Sequence, residues 1–314
     1  MQIGVDLGGT KIEAVALEGS AGIRLRRRQA SPKGDYEGTV RTIRDLVRGL
    51  EAELDRPGSV GVGMPGTISP HSGLVKNANS TWIIGRPLDR DLAEALGRPV
   101  RVANDANCFA LSEAVDGAAA GAEVVFGVIL GTGVGGGLVV RERPLVGPQA
   151  IAGEWGHNPL PWPADGERPG PDCYCGKQGC IETFLSGPAL SRDHAAATGE
   201  SLTAEEIAAR AAAGNGPAAA SLARYAGRLA RGLATVINVV DPDAVVLGGG
   251  LSNLESLYAE LPGRLQDYVF SDVCTTPVVA AKHGDSSGVR GAAWLWRPEE
   301  LTAALDKADG SRVP

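Results

Sequence analysis

The chain has 314 residues, 43 % of them hydrophobic and 21 % charged, with 44 glycines and a formal net charge of −7. This content is too apolar for disorder, and the length suits one large domain or two ordinary ones. The acidic balance without a basic stripe argues against nucleic acid as a partner. No apolar run approaches the ~18 residues of a membrane span, so no membrane partner is expected; the first residues do not read as a signal segment, and the cytoplasm is the expected home.

From the start of the chain, IGVDL, GGT and KIEAVAL read as strand, tight glycine turn and strand. The arginine run Arg24 to Arg28 reads as a solvated strand or its flanking turn. Residues 35–54 are expected to be helical, because Tyr36, Val40, Ile43, Val47, Leu50 and Leu54 recur at helical spacing. SVGVGMPG reads as a buried strand ending at a Pro-Gly turn, and SPHSGLVKNANSTW as a loop. A short strand over 100–103 leads into a helical NDANCFALSEA, with Asp105 at its start. The pattern then begins again. VVFGVILGTGVGGGLVV is strand, glycine turn, strand; SLARYAGRLARGLATVINVV is a long amphipathic helix; DPDAVVLGGG is a Pro stop, a buried strand and a glycine turn. This loose duplication implies two similar α/β domains with a cleft between them. The tail from Leu301 onward reads as a frayed helix or disorder.

Three glycine-rich turns each follow a strand: Gly8-Gly9-Thr10-Lys11, Gly131-Thr132-Gly133 and Gly248-Gly249-Gly250. Bare backbone lets N–H groups approach a phosphate, and Thr10 or Thr132 adds a hydroxyl. One such turn is ordinary loop punctuation; three in matching places are harder to dismiss. None is a GxxxxGK[ST] loop. GTGVGG over 131–136 has the GxGxxG spacing, but a strand follows it where a dinucleotide site needs a helix. A nucleoside triphosphate fits better, with Asp6 orienting Mg²⁺ or its waters unless it is simply a strand-end Asp. Asp105 has two readings, a helix N-cap or the carboxylate that accepts a proton during phosphoryl transfer to a hydroxyl. Glu154, His157 and Glu182 are residues of the kind that grip vicinal sugar hydroxyls, although surface Glu needs no special role.

Cys173, Cys175 and Cys180 fall within eight residues, with His157 upstream. Reduced thiols in the expected compartment argue against disulfides, and CYC lacks the CxxC spacing of a redox pair. One imidazole and three thiolates complete a tetrahedral set for a structural Zn²⁺. Cys108 and Cys274 read as small core residues.

Together these residues resemble the ROK family of bacterial sugar kinases and repressors. The resemblance is carried by IGVDLGGTKIE, GVGMPG, ANDANCFALSEA, LGTGVGGGLVVRERPLVGPQAIAGEWGH, CGKQGCIE and VVLGGGLSN, and it covers Met1 to Trp296. Within the family, VKNANSTW, EWGHNPLPW, CYCGKQGCIETFLSG and KHGDSSGVRGAAWLW look like the fructokinase/mannokinase branch. The resemblance implies a two-domain, actin-like (ribonuclease H-like) ATPase fold. The expected division is 1–115 plus about 288–314, against 116–287, because GVRGAAWL matches a helix that returns to the N-terminal domain. It further implies ATP and Mg²⁺ on Asp6, Gly8, Gly9, Thr10, Lys11, Gly131, Thr132, Gly133, Gly249 and Gly250. Asp105 becomes the general base, and Asn79, Asn104, Glu154, His157 and Glu182 hold the sugar. His157, Cys173, Cys175 and Cys180 match a structural zinc site, and His157 is expected to keep its second ring nitrogen for the sugar. The activity implied is phosphorylation of the C6 hydroxyl of fructose, with mannose beside it. The alternatives are N-acetylglucosamine, N-acetylmannosamine or glucose, and then a non-catalytic sugar-binding regulator. A homodimer is implied as well. The DNA-binding helices of the family's repressors are not expected, since the first phosphate turn begins at Gly8.

Overall fold

The computed structural model describes residues 1–19 and 22–300. The tail from Leu301 onward lies outside the described residues. Each half of the chain opens on a hairpin. The first joins β1 (Gln2–Leu7) to β2 (Lys11–Leu17), antiparallel, with Ile3, Val5, Ile12 and Ala14 fully buried. Next come β3 (Ile23–Ala30), α1 (Tyr36–Leu54), β4 (Ser59–Met64), the short β5 (Thr67–Ile68) and β6 (Val75–Lys76), α2 (Leu88–Leu96), β7 (Val100–Asn104) and α3 (Asp105–Val115). The sheet order is β3-β2-β1-β4-β7, with β1, β4 and β7 parallel. The arginine run lies on the edge strand β3, where charge discourages pairing with another chain. Arg28 Nε and Arg26 Nε stand 2.5 and 3.3 Å from the carboxylate of buried Glu13. Helix α1 starts one residue later than its apolar spacing implied, because Asp35 is the cap and accepts from Gly38 N.

The second hairpin pairs β8 (Val124–Leu130) with β9 (Val134–Val140). After the two-residue β10 (Arg143–Pro144) come α4 (Glu182–Leu185), α5 (Gly187–Thr198), α6 (Ala204–Ala212), α7 (Gly216–Val240), β11 (Ala244–Gly248), α8 (Glu255–Gln266), β12 (Val278–Ala280) and α9 (Ser287–Trp294). Here the order runs β9-β8-β11-β12, with β8, β11 and β12 parallel and β10 beside β9. The run β2-β1-β4-β7 repeats this arrangement strand for strand, so the duplication read from sequence is present in the topology.

Contacts cluster into two units. Unit 1 holds Met1–Gly117, Glu142–Ala152 and the chain from Asp285 onward; unit 2 holds Ala118–Arg141 and Gly153–Gly284. The segment Glu142–Ala152 thus groups with unit 1, a detail no local pattern signals. The core of unit 2 surrounds α7, where Tyr225, Leu229 and Leu233 are fully buried. In unit 1, α9 lies directly on β1, β4 and α3.

Glycine makes that seat possible. A Cβ on Gly4 would fall 2.0 Å from Val289 O, one on Gly61 1.8 Å from Ala292 O, and one on Gly291 1.6 Å from Cys108 O. Backbone therefore packs on backbone. Polar bonds close the contact: Gln2 Nε2 donates to Trp296 O (2.7 Å) and Trp296 Nε1 to Val60 O (2.7 Å). Gly61→Ala is expected to destabilise unit 1 by about 3 kcal/mol through overpacking. A thermal-melt series measures this, and an unchanged midpoint would show that α9 slides aside at no cost.

Candidate functional site

The first phosphate turn is held shut by its own backbone, with Gly8 N donating to Lys11 O at 3.0 Å. Ser31 braces it from β3's end. Its N–H donates to Thr10 O (2.9 Å) and its hydroxyl to Gly8 O (2.6 Å). Gly9, Thr10 and Lys11 remain exposed. Asp6, at the end of β1, pairs across the sheet with Glu13. Burial, then the nearby charges of Asp105 and Glu13, push the Asp6 carboxyl up to about 6. A carboxylate so crowded by negative charge fits a divalent cation, which would relieve that repulsion.

Asp105 is the first residue of α3, directly after β7. The cap is its neighbour: Asn104 Oδ1 accepts from Ala106 N at 2.9 Å, and Asn104 Nδ2 donates to Gly66 O at 3.1 Å. The N-cap reading of Asp105 therefore falls to Asn104, whose amide is engaged with the backbone on both atoms. Asp105 is exposed, with Oδ1 accepting from Ala106 N at 2.9 Å. Asn79 is exposed on the loop between β6 and α2. So unit 1 carries Asp6, Gly8 to Lys11, Asn79, Asn104 and Asp105.

In unit 2 the structure brings two glycine turns together. Gly249 has φ +81°, and a Cβ there would meet Leu130 O at 2.4 Å, so the third turn lies against the strand end that leads into Gly131-Thr132-Gly133. The second turn is closed by Gly131 N to Gly133 O (3.0 Å), and Gly187 N at the start of α5 donates to Gly131 O (2.8 Å). These turns line a cavity of about 660 Å³ together with Pro188, Thr203, Glu205 and Asn253. That is a fitting size for a nucleotide-sized ligand. The residues from α5 and α6 are far from the turns in sequence and carry no local signal.

Glu154 precedes and His157 ends a short 3-10 turn, Trp155–His157, anchored by an indole. Trp155 is buried, its Nε1 donates to Gly135 O (3.0 Å), and its ring meets Phe126 edge-on at 5.6 Å. The glycines of β9 make room, since a Cβ at Gly136 would lie 2.7 Å from the Trp155 ring. Glu182 begins α4, and its Oε2 accepts from Val134 N at 2.9 Å, just after the second turn. The residue read as a sugar ligand therefore also braces a phosphate turn.

The cysteine loop supplies a four-ligand cluster. His157, Cys173, Cys175 and Cys180 place their ligand atoms within 4.8 Å of one another. Cys175 Sγ and Cys180 Sγ are 3.6 Å apart, and Cys173 Sγ is 3.5 Å from His157 Nδ1. All the cysteines are free. A tetrahedral zinc with S and N ligands has edges of about 3.5–3.8 Å, so these residues fit that metal. Backbone holds the loop: Leu160 N donates to Gly179 O (2.9 Å), Ile181 N to Asn158 O (2.8 Å) and Cys173 N to Lys177 O (2.8 Å). Upstream, Glu167 bonds Arg228 (2.7 Å) and Arg231 (2.8 Å) of α7. Burial works against its charge, but the two guanidiniums hold the carboxyl down at about 2.

One expectation changes. The second nitrogen of His157 is not left bare: Nε2 stands 2.9 Å from the Tyr174 hydroxyl, and the rings meet edge-on at 5.1 Å. Burial and the charges of Glu182, Cys173 and Glu154 push the Tyr174 phenol up to about 12. The Tyr174 hydroxyl thus feels the charges of Glu182 and Glu154 while it contacts His157. Tyr174 sits between two of the candidate metal ligands with its ring largely exposed, and no local pattern in the sequence singles it out.

This arrangement, glycine turns at strand ends with a strand-to-helix Asp and a sugar-type polar cluster, is that of a sugar kinase. The model of the ROK family matches residues 2–299, and the chain belongs to that family. An N-acetyl-D-glucosamine kinase of Photobacterium profundum is 43 % identical over 299 residues, 94 % of this chain and 99 % of that protein. In structure the chain is similar to a ROK hexokinase from Thermus thermophilus, with TM-score 0.83 and 33 % identity over 94 % of this chain and 97 % of that one. It is similar also to a ROK family glucokinase from Streptomyces griseus in complex with glucose and AMPPNP, with TM-score 0.73 and 29 % identity over 93 % and 97 %. Among the described residues no helix is long and apolar enough to cross a membrane.

Proposed function

We propose that the protein transfers the γ-phosphoryl group of ATP, as its Mg²⁺ complex, to the C6 hydroxyl of a hexose. The observation that carries this is the place of Asp105, at the first turn of α3 with the capping done by Asn104. As the sugar oxygen bonds to phosphorus, its proton passes to the Asp105 carboxylate. The bond from phosphorus to the bridging oxygen breaks, and its electron pair leaves with ADP. In unit 1, the turn Gly8 to Lys11 offers phosphate a hydroxyl and the backbone N–H groups beyond the one of Gly8 that closes it, Asp6 would face the Mg²⁺ of the nucleotide, and Asn79 and the second Nδ2 hydrogen of Asn104 hold sugar hydroxyls. In unit 2, the turns at Gly131–Gly133 and Gly249–Gly250 take the nucleotide, Glu154 and Glu182 hold the sugar, and His157 joins them only if the Tyr174 hydroxyl gives up its Nε2. Zn²⁺ on His157, Cys173, Cys175 and Cys180 would have no open position, so its role is to fix the loop.

For the particular sugar, the comparisons support N-acetylglucosamine better than fructose, since the Photobacterium relative carries that activity in its name. Fructose, with mannose, is the second reading. It rests on the segments VKNANSTW, EWGHNPLPW, CYCGKQGCIETFLSG and KHGDSSGVRGAAWLW. A coupled ADP-release assay across N-acetylglucosamine, N-acetylmannosamine, glucose, fructose and mannose decides between them. A site built to bond one sugar's polar groups discriminates strongly against an analogue that lacks them. The larger kcat/KM on N-acetylglucosamine supports the first reading, and the larger value on fructose replaces it with the second. Sugar binding without ADP formation on any of them would revive a non-catalytic regulator.

A further inference from the structure

Ser80 is 2 % exposed, and its Oγ has no hydrogen-bond partner among the described residues. It precedes the short 3-10 turn Thr81–Ile83 without capping it, while its carbonyl accepts from Ile83 N at 3.2 Å. A buried hydroxyl left unpaired is costly and asks for an explanation. Its surroundings supply one. A Cβ built on Gly9 would lie 3.5 Å from Ser80 Oγ, so the hydroxyl faces the bare backbone of the first phosphate turn. Asn79, the residue before Ser80, is exposed. One short segment therefore presents an open amide and, beside it, a buried donor at the turn.

We propose that Ser80 donates its hydroxyl proton in a hydrogen bond to an oxygen of the transferred phosphoryl group. The inference rests on the kinase reading above and adds a residue to it. Ser80 makes and breaks no covalent bond. Phosphoryl transfer spreads charge over the three equatorial oxygens, and the protein's contribution is positioned donors. A neutral hydroxyl suits a buried post: it needs no counter-ion when the nucleotide is absent, whereas an unpaired buried charge would. Its rotor turns toward the oxygen without moving backbone, so the stabilisation needs little reorganisation.

The test uses the full chain and whichever hexose the panel shows to be turned over. Ser80→Ala removes the hydroxyl, and Ser80→Cys keeps its approximate shape while leaving only a weak donor. Both are expected to lower kcat about 10²-fold, the loss seen when one donor to a developing charge is removed. The sugar KM and the thermal midpoint should stay near wild type. Inhibition by ADP with aluminium fluoride, which mimics the phosphoryl in flight, should weaken by a similar factor while ADP alone binds as before. Ser112 is the control. It is fully buried with an equally unpartnered hydroxyl, two helical turns beyond Asp105, and Ser112→Ala should leave kcat unchanged. A Ser80→Ala enzyme at wild-type kcat, or a Ser80→Cys enzyme restored to it, overturns the proposal, the latter by showing that shape alone matters. A wild-type protein inactive on every hexose would instead sink the kinase reading.

Discussion

Asp105→Asn is expected to lower kcat by about 10²–10⁴-fold, the usual worth of a positioned general base, with the sugar KM little changed. The substitution is nearly isosteric. The cap stays with Asn104, and an amide oxygen at 105 still accepts from Ala106 N, a bond of 2.9 Å in the wild type. The fold at the start of α3 has no reason to move. What is lost is basicity, since an amide cannot take the sugar's proton at neutral pH. A second signal separates this from a structural effect. The Asp105 charge is one cause, after burial, of the raised Asp6 carboxyl at about 6. Removing it should shift the Asp6 titration downward, readable by carboxyl NMR in a stable, folded variant. Turnover near the wild-type rate would remove Asp105 from the role of base.

The other large effect concerns the metal cluster. Stripping the metal with a chelator, or Cys175→Ser, should weaken sugar binding by about 10–100-fold, the range typical when a metal site's support is broken. Cys180 lies two residues before Glu182, and Ile181 N donates to Asn158 O (2.8 Å) next to His157. A metal held there would thus tie Glu182 and the Glu154–His157 turn to one loop. Nucleotide binding should fall less, because the cluster's residues reach the second phosphate turn indirectly, as through the bond from Val134 N to Glu182 Oε2. Isothermal titrations with hexose and with AMPPNP check both arms; equal losses would make the cluster a general fold staple. The pH dependence has a definite sign. Burial and then the neighbouring sulfurs push the Cys180 thiol up to about 12, whereas the backbone N–H of Lys177 draws the Cys175 thiol down. Metal binding must expel such protons, so retention against a chelator should weaken as pH falls.

What the sequence disclosed was whatever is local. The β1–β2 hairpin, the glycine turns and the strand-to-helix step at Asp105 each lie within a dozen residues, and alternation or spacing marks them. The three cysteines are adjacent enough for their count to suggest a metal. His157, sixteen residues before the first of them, joined them as the fourth ligand that a tetrahedral site needs. Long-range pairings left no such trace. Glu182 bonding Val134, Ser80 facing Gly9 and Tyr174 covering the His157 nitrogen depend on how separate segments come to rest. The glycines Gly4 and Gly61 look like weak points in strands until α9 is seen lying on them.

That seat of α9 also imposes an order on synthesis. Gln2 bonds Trp296 across 294 residues of chain. The first hairpin is made about 270 residues before α9, so the face it offers to that helix stays uncovered for roughly 15–50 s at ordinary elongation rates. Unit 2 is encoded in between and has its own sheet and helices to bury. The half of the molecule begun first is therefore the half completed last, and the nascent β1–β2 surface is where a chaperone has most to protect.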